Sequence, residues 1–305
     1  MATRNQPDAT PGLVHVGTSG WSYQDWAGLF YPKKQPRGFD QLAYLARYFD
    51  SVEVNSSFYR PPNPRHAASW IRRTPEAFTF TFKLHQRFTH QRETPWTKAE
   101  VEEYRRGIAP VPEAGRLGAV LVQFPWSFRA GDEAMRHLEA VARDFGDLPL
   151  VAEVRHVSWA DAKALGAIRD LGMGFCNIDQ PSSRGGVPPL AVASGRVGYV
   201  RFHGRNREAW FSKDADRDAK YDYLYREDEL DEWIDRIRDI ARASEKTYVF
   251  TNNHYRGQAP ANALQIVSKL TGRAVPVPPP LLEAYPVLGS VAAEGSQPPR
   301  QGELF

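Results

Sequence analysis

A polar pair at spacing i, i+2 recurs near the ends of apolar runs in this chain. Glu53 and Asn55 stand in SVEVNSSFY, Lys83 and His85 in FKLHQ, and Glu153 and Arg155 in VAEVRH; Asn177 and Asp179 stand in FCNIDQ, and Arg201 and His203 in YVRFHGR. A period of two marks a strand, and a bulky apolar residue between two polar ones puts the polar pair on one face. Carboxylates, cations and imidazoles gathered on one face can hold an anion and move a proton. Arg155, Arg201 and Lys83 would grip a phosphate or carboxylate, with arginine as a bidentate donor. Glu53, Glu153 and His203 are the candidate catalytic acids and bases.

Asn55, Lys83, His85, Gln123, Arg155, Asp179, Arg201 and Asn253 are the candidate polar contacts to substrate. Trp21, Tyr23, Tyr59 and Trp159 are the candidate aromatic ones. The charges nearly balance, with Glu53, Glu153 and Asp179 against Lys83, Arg155 and Arg201. That balance opposes a polynuclear metal cluster, which needs surplus carboxylate and imidazole. No cofactor is expected, although a single divalent metal on His85, Glu153, Asp179 or His203 fits ligand chemistry.

Positioning such pairs requires many strands whose ends converge. Apolar strand patterns lie at 13–17, 51–55, 79–84, 117–124, 150–154, 174–178, 197–202 and 247–251. Helical periodicity falls between most of them, at 39–49, 64–74, 98–109, 132–145, 161–171, 228–243 and 260–270. Gln180–Pro189 reads as irregular and 204–227 as a long insertion rich in Arg, Asp, Tyr and Trp. The alternation predicts an α/β fold: a (β/α)8 TIM-barrel-like single domain, with an open doubly wound sheet as the alternative. Residues 1–12 read as a flexible lead-in, 13–271 as the barrel, and 272–305 as a flexible Pro-rich C-terminal tail.

Composition sets wide bounds. The chain has 305 residues, 42% of them hydrophobic, and a formal net charge of +3, which by itself announces no nucleic acid. One cysteine, Cys176, excludes an internal disulfide and suggests a reducing compartment. No N-terminal apolar segment reads as a signal peptide and no run approaches a membrane span, so a cytoplasmic protein without a membrane partner is expected.

Around the predicted mouth the loops interleave Trp21, Tyr23, Trp26, Phe58, Tyr59, Phe88, Trp126, Trp159, Trp210 and Tyr255 with Arg60, Arg65, Arg87, Arg92, Arg129, Arg184, Arg205, Arg207 and Arg256. Rings plus guanidinium groups suit stacking on nucleobases or sugars. The alternative is that the rings plug the barrel and the arginines are solvated. The chain ends QGELF, which resembles the bacterial sliding-clamp-binding peptide; Gln301, Leu304 and Phe305 would make the contacts with the clamp.

The runs GTSGWSY, EVNSSFYR, FKLHQRFTH, QFP, EVRHVSW, RFHGR, KYDYLY and TNNH occur in that order across roughly residues 13–270. In them the chain resembles the YecE-like proteins, the family called domain of unknown function 72. The resemblance implies a TIM barrel and no particular activity. The function expected from the residues is an enzyme on a phosphate-bearing substrate, nucleic acid or nucleotide, by hydrolysis. The alternatives are a small-molecule enzyme acting on sugar phosphates or acids, and a non-catalytic nucleic-acid-binding protein recruited by the clamp.

Overall fold

A computed structural model describes residues 13–212, 216 and 218–295. All eight predicted strands form: β1 (Leu13–Ser19), β2 (Ser51–Val54), β3 (Thr79–Lys83), β4 (Leu117–Gln123), β5 (Leu150–Glu153), β6 (Gly174–Asp179), β7 (Val197–Phe202) and β8 (Lys246–Thr251). Every strand is parallel to its neighbours and β8 pairs with β1, so the sheet closes into a barrel. The open-sheet alternative is excluded. Closure brings backbones close: a Cβ on Gly17 would stand 2.0 Å from the Ser51 carbonyl oxygen.

The inner barrel is filled by Ala119, Leu121, Val151, Cys176, Ile178, Tyr199, Tyr248 and Phe250. A larger apolar layer, including Val52, Phe80, Val120, Ala152, Val200 and Val249, faces the helices. These two clusters assign each strand's faces, because alternate residues point to opposite sides.

The helices follow from local chemistry. Asp161 accepts from Lys163 and Ala164 to cap Ala162–Asp170, and Thr97 forms a reciprocal capping box with Glu100 at the start of Lys98–Ile108. Glu227–Arg242 buries Leu230, Trp233, Ile234, Ile237 and Ile240 on one stripe. No helix of the described residues is long and apolar enough to cross a membrane.

The structure differs from expectation after Thr271. Val275 bridges Ala292, a helix forms at Pro279–Ala284, and Val277, Leu281 and Leu288 are fully buried. The prolines that argued for an extended tail start this short helix, where a missing N–H costs nothing. Residues 296–305, with Gln301, Leu304 and Phe305, lie outside the described residues.

Candidate functional site at the carboxyl end of the barrel

Inward-facing positions at the ends of β2, β5 and β7 deliver one hydrogen-bonded polar network, and those of β3 and β4 add a polar pair beside it. Arg201 on β7 is its hub: Nη2 donates to Glu53 Oε1 at 2.7 Å, and Nη1 donates to Glu153 Oε2 at 2.6 Å. Arg155 donates to Glu153 Oε1 through Nε at 3.0 Å and Nη2 at 2.8 Å. Tyr199 OH donates to Glu53 Oε2 at 2.8 Å, and Lys83 Nζ donates to Gln123 Oε1 at 2.9 Å. His203 Nδ1 meets Asn252 Nδ2 at 3.0 Å, which leaves the imidazole proton on Nε2, 3.4 Å from Glu153 Oε1.

Depth orders the network. Glu53, Glu153 and His203 are inaccessible to solvent and Arg201 nearly so. Arg155 keeps 19% of its side chain exposed, and Lys83 is partly exposed. An incoming ligand therefore meets cations before carboxylates.

The electrostatics follow from this packing. Burial alone would raise the Glu153 carboxyl, but the Arg201 and Arg155 guanidiniums hold it well below the usual carboxylate range. Burial and the nearby arginines push His203 down to about 4, so it is a neutral imidazole. Burial of the ammonium, reinforced by Arg201, pushes Lys83 down to about 7 against the pull of Glu153 and Glu53. Glu153, expected as a proton donor or acceptor, is instead a pinned anion holding two arginines. Lys83 is the group poised to exchange a proton near neutral pH.

Seven of the fifteen predicted site residues meet here: Glu53, Lys83, Gln123, Glu153, Arg155, Arg201 and His203. Tyr23 joins them by donating to Ser19 O at 2.6 Å beside Asn55, whose buried Oδ1 has no partner among the described residues. The others go elsewhere. Asp179 points outward, accepting from Arg205, Tyr225 OH and Trp233 Nε1, because Cys176 and Ile178 hold the inner face of β6. Asn177, its pair, binds the Val192 backbone on the same outer side. Asn253 donates to Tyr223 O and Asn262 Oδ1, while its neighbour Asn252 takes the inward position.

His85 turns out of the strand to accept from Arg87 N, towards Glu100 and Glu103. Of the four candidate metal ligands Glu153 and His203 meet while His85 and Asp179 lie elsewhere, and among the described residues no group of three or more His, Cys, Asp or Glu could hold a metal. Trp159 is fully buried, stacked on Phe128 and donating to its carbonyl. Trp21 packs edge-on against Trp70 on the outer side of β3, and Tyr59 is 64% exposed against Phe58.

Several loop residues expected to bind nucleic acid are structural. Trp26 and Phe88 are core, Arg87 is held by Glu100, and Arg205 by Asp179 and Glu229. Sequence reasoning missed Asn252, Tyr199, His90 and the role of Trp210. His90 stands within the field of Lys83 and Arg155, which with burial pushes it down to about 4. Trp210, from the β7 insertion, lies over Arg155 at 5.8 Å and beside His203 at 6.1 Å. The RFHG and TNNH runs flagged the strand ends but could not say which of two adjacent asparagines faces inward.

Comparison with known proteins agrees with the barrel. The family model described as "Protein of unknown function DUF72" matches residues 15–284. The UPF0759 protein YunF of Bacillus subtilis (strain 168) is 30% identical over 271 residues, covering 85% of this chain and 95% of that protein. The UPF0759 protein YecE of Escherichia coli (strain K12) is 28% identical over 148 residues, covering 47% and 49% respectively. The crystal structure of a DUF72 family protein from Thermotoga maritima MSB8 is similar, with a TM-score of 0.77 and 36% identity, over 85% of this chain and 99% of that one. On the family match and these relatives, the chain belongs to the DUF72 family of YecE-like proteins, built on a closed (β/α)8 barrel.

Proposed function

We propose that this protein is an enzyme acting on a small substrate with a phosphate or carboxylate group, bound at the carboxyl end of the barrel. One observation carries this reading. Arg155 and Lys83 lie on the solvent side of a network whose carboxylates, Glu53 and Glu153, are sealed beneath and already paired with Arg201, Glu153 with Arg155 as well. An anion entering the mouth would meet two donors without approaching an unpaired carboxylate. The site lies where barrels of this type place their chemistry. A long nucleic-acid contact draws less support, because several of the arginines and rings expected to make it hold the fold together.

The test is calorimetric titration with inorganic phosphate and with malonate, beside Arg155→Met. A charge-assisted hydrogen bond contributes about 1.5–3 kcal/mol, so Arg155→Met should weaken anion binding roughly 10- to 100-fold with an unchanged circular-dichroism spectrum. Binding of neither anion by the intact protein, or equal binding by the variant, overturns the reading.

A further inference from the structure

We infer that Lys83 is an imine-forming nucleophile, and that the substrate of this site carries an aldehyde or ketone next to its anionic group. The inference rests on the anion-binding reading above and narrows the substrate to carbonyl compounds such as 2-oxo acids or keto and aldo phosphates.

Arg201 and Arg155 both bind carboxylates, whereas Lys83 donates to the amide oxygen of Gln123 at 2.9 Å. A carboxylate would hold the lysine proton firmly; the neutral amide oxygen also favours the ammonium, but holds its proton less tightly than a carboxylate would. Below Nζ lies the Phe58 ring, 4.2 Å to its centroid. The ring face favours the ammonium, yet it also walls water from that side. The charged and titratable groups facing Nζ are Arg201, Arg155, Glu153, Glu53 and His90. Glu153 and Glu53 pull towards the ammonium, and burial, followed by the field of Arg201, outweighs them at Lys83. Burial and this field together keep the amine partly neutral near pH 7. Lys83 remains partly exposed, within the field of the Arg155 that would hold the anionic end.

The step balances within the site. The neutral Nζ lone pair attacks the carbonyl carbon, forming the C–N bond as the C=O π bond opens. A proton passes from nitrogen to oxygen to give a carbinolamine. Loss of the hydroxyl with the second nitrogen proton, as water, leaves the imine. No oxidant or metal enters. The bound anion fixes the carbonyl against Nζ, which is the positioning that makes such an addition fast.

The experiment uses glyoxylate, a carboxylate and an aldehyde in one small molecule, with cyanoborohydride to reduce any imine to a stable carboxymethyl-lysine. Peptide mass spectrometry then locates the adduct on the full chain. At pH 7 a lysine with a pKa of about 7 holds roughly a thousandfold more neutral amine than an unperturbed one. Allowing for lower intrinsic nucleophilicity, Lys83 should label at least about tenfold faster than the exposed Lys33 and Lys34. Its rate should level off by about pH 8 while theirs keeps rising. Inorganic phosphate should slow labelling at Lys83 alone, and Lys83→Arg should remove that adduct.

Unlabelled Lys83 in a protein that still binds phosphate through Arg155 overturns the imine and leaves the anion site standing. Unlabelled Lys83 with no phosphate binding removes both. Fast labelling of Lys83 without phosphate binding keeps the nucleophile and removes the anion reading.

Discussion

Replacing Arg201 with methionine tests the architecture of the mouth most directly. The substitution keeps the apolar stem but removes the donors to Glu53 at 2.7 Å and to Glu153 at 2.6 Å, both in a solvent-free interior. Stripping one partner from a buried ion pair costs about 3–5 kcal/mol. Glu153 keeps Arg155, so the cost there is partial, while among the described residues Glu53 keeps the Tyr199 hydroxyl alone. We expect Arg201→Met to lose about 4–6 kcal/mol, against a total stability of about 5–15 kcal/mol for a typical domain.

The sign of the pH dependence sharpens this test. In the native protein the folded-state pKa of Glu153 is depressed, so its contribution is present above the ordinary carboxylate value and lost as pH falls. His203, pushed down to about 4, likewise stabilises the fold above its ordinary 6.5 and ceases to do so as pH falls through that window. In Arg201→Met the stripped carboxylate site gains by taking up a proton, which opposes the His203 loss, so the fall in stability from about pH 7 to 5 should be shallower than in the native protein. The assay is urea denaturation across that range. If the single variant is too unstable to measure at neutral pH, Arg201→Met with Glu53→Gln should recover at least about 2 kcal/mol by removing the stranded charge. A loss under about 1 kcal/mol, or an unchanged pH slope, would refute the view that one guanidinium bridges and stabilises both carboxylates.

Other perturbations separate structure from function. Asp179→Asn weakens a cluster of Arg205, Tyr225 and Trp233 donors and should cost about 2–4 kcal/mol in denaturation while leaving phosphate affinity unchanged. Gly118→Ala places a methyl 2.5 Å from the Tyr248 ring inside the barrel and should lower stability by about 1–3 kcal/mol. Leu281→Ala opens a cavity under the C-terminal segment and should cost about 2–5 kcal/mol; no measurable loss would mean that segment does not pack on the barrel. For the clamp proposal, calorimetric titration with a bacterial sliding clamp should show micromolar binding by the full chain, lost in Leu304→Ala/Phe305→Ala; an intact chain that does not bind removes it.

Much of the molecule was legible in order and polarity. Apolar runs separated by capped amphipathic segments are enough to name every strand, because backbone pairing and side-chain burial follow the same period of two. Glu53, Lys83, Glu153, Arg155, Arg201 and His203 could be picked out because a charged pair ending a buried strand must face other polar groups. The limits show on β6 and β8. A strand of a closed parallel barrel is buried on both faces, so alternation alone does not distinguish the barrel axis from the helix layer. Glu53 points in and Asp179 points out, although both end apolar strands; the cluster of Arg205, Tyr225 and Trp233 that claims Asp179 comes from chain that follows it. Asn252 and Asn253 are adjacent and chemically identical, and closure of β8 against β7 and β1 alone decides which one touches His203. The protonation of Lys83 belongs to the same category. The sequence by itself determined that a lysine ends β3. Only the tertiary structure decided that it should lie on Phe58, amid arginines already paired and with an amide as its partner, because desolvation and the field of distant residues exist only once the barrel has closed.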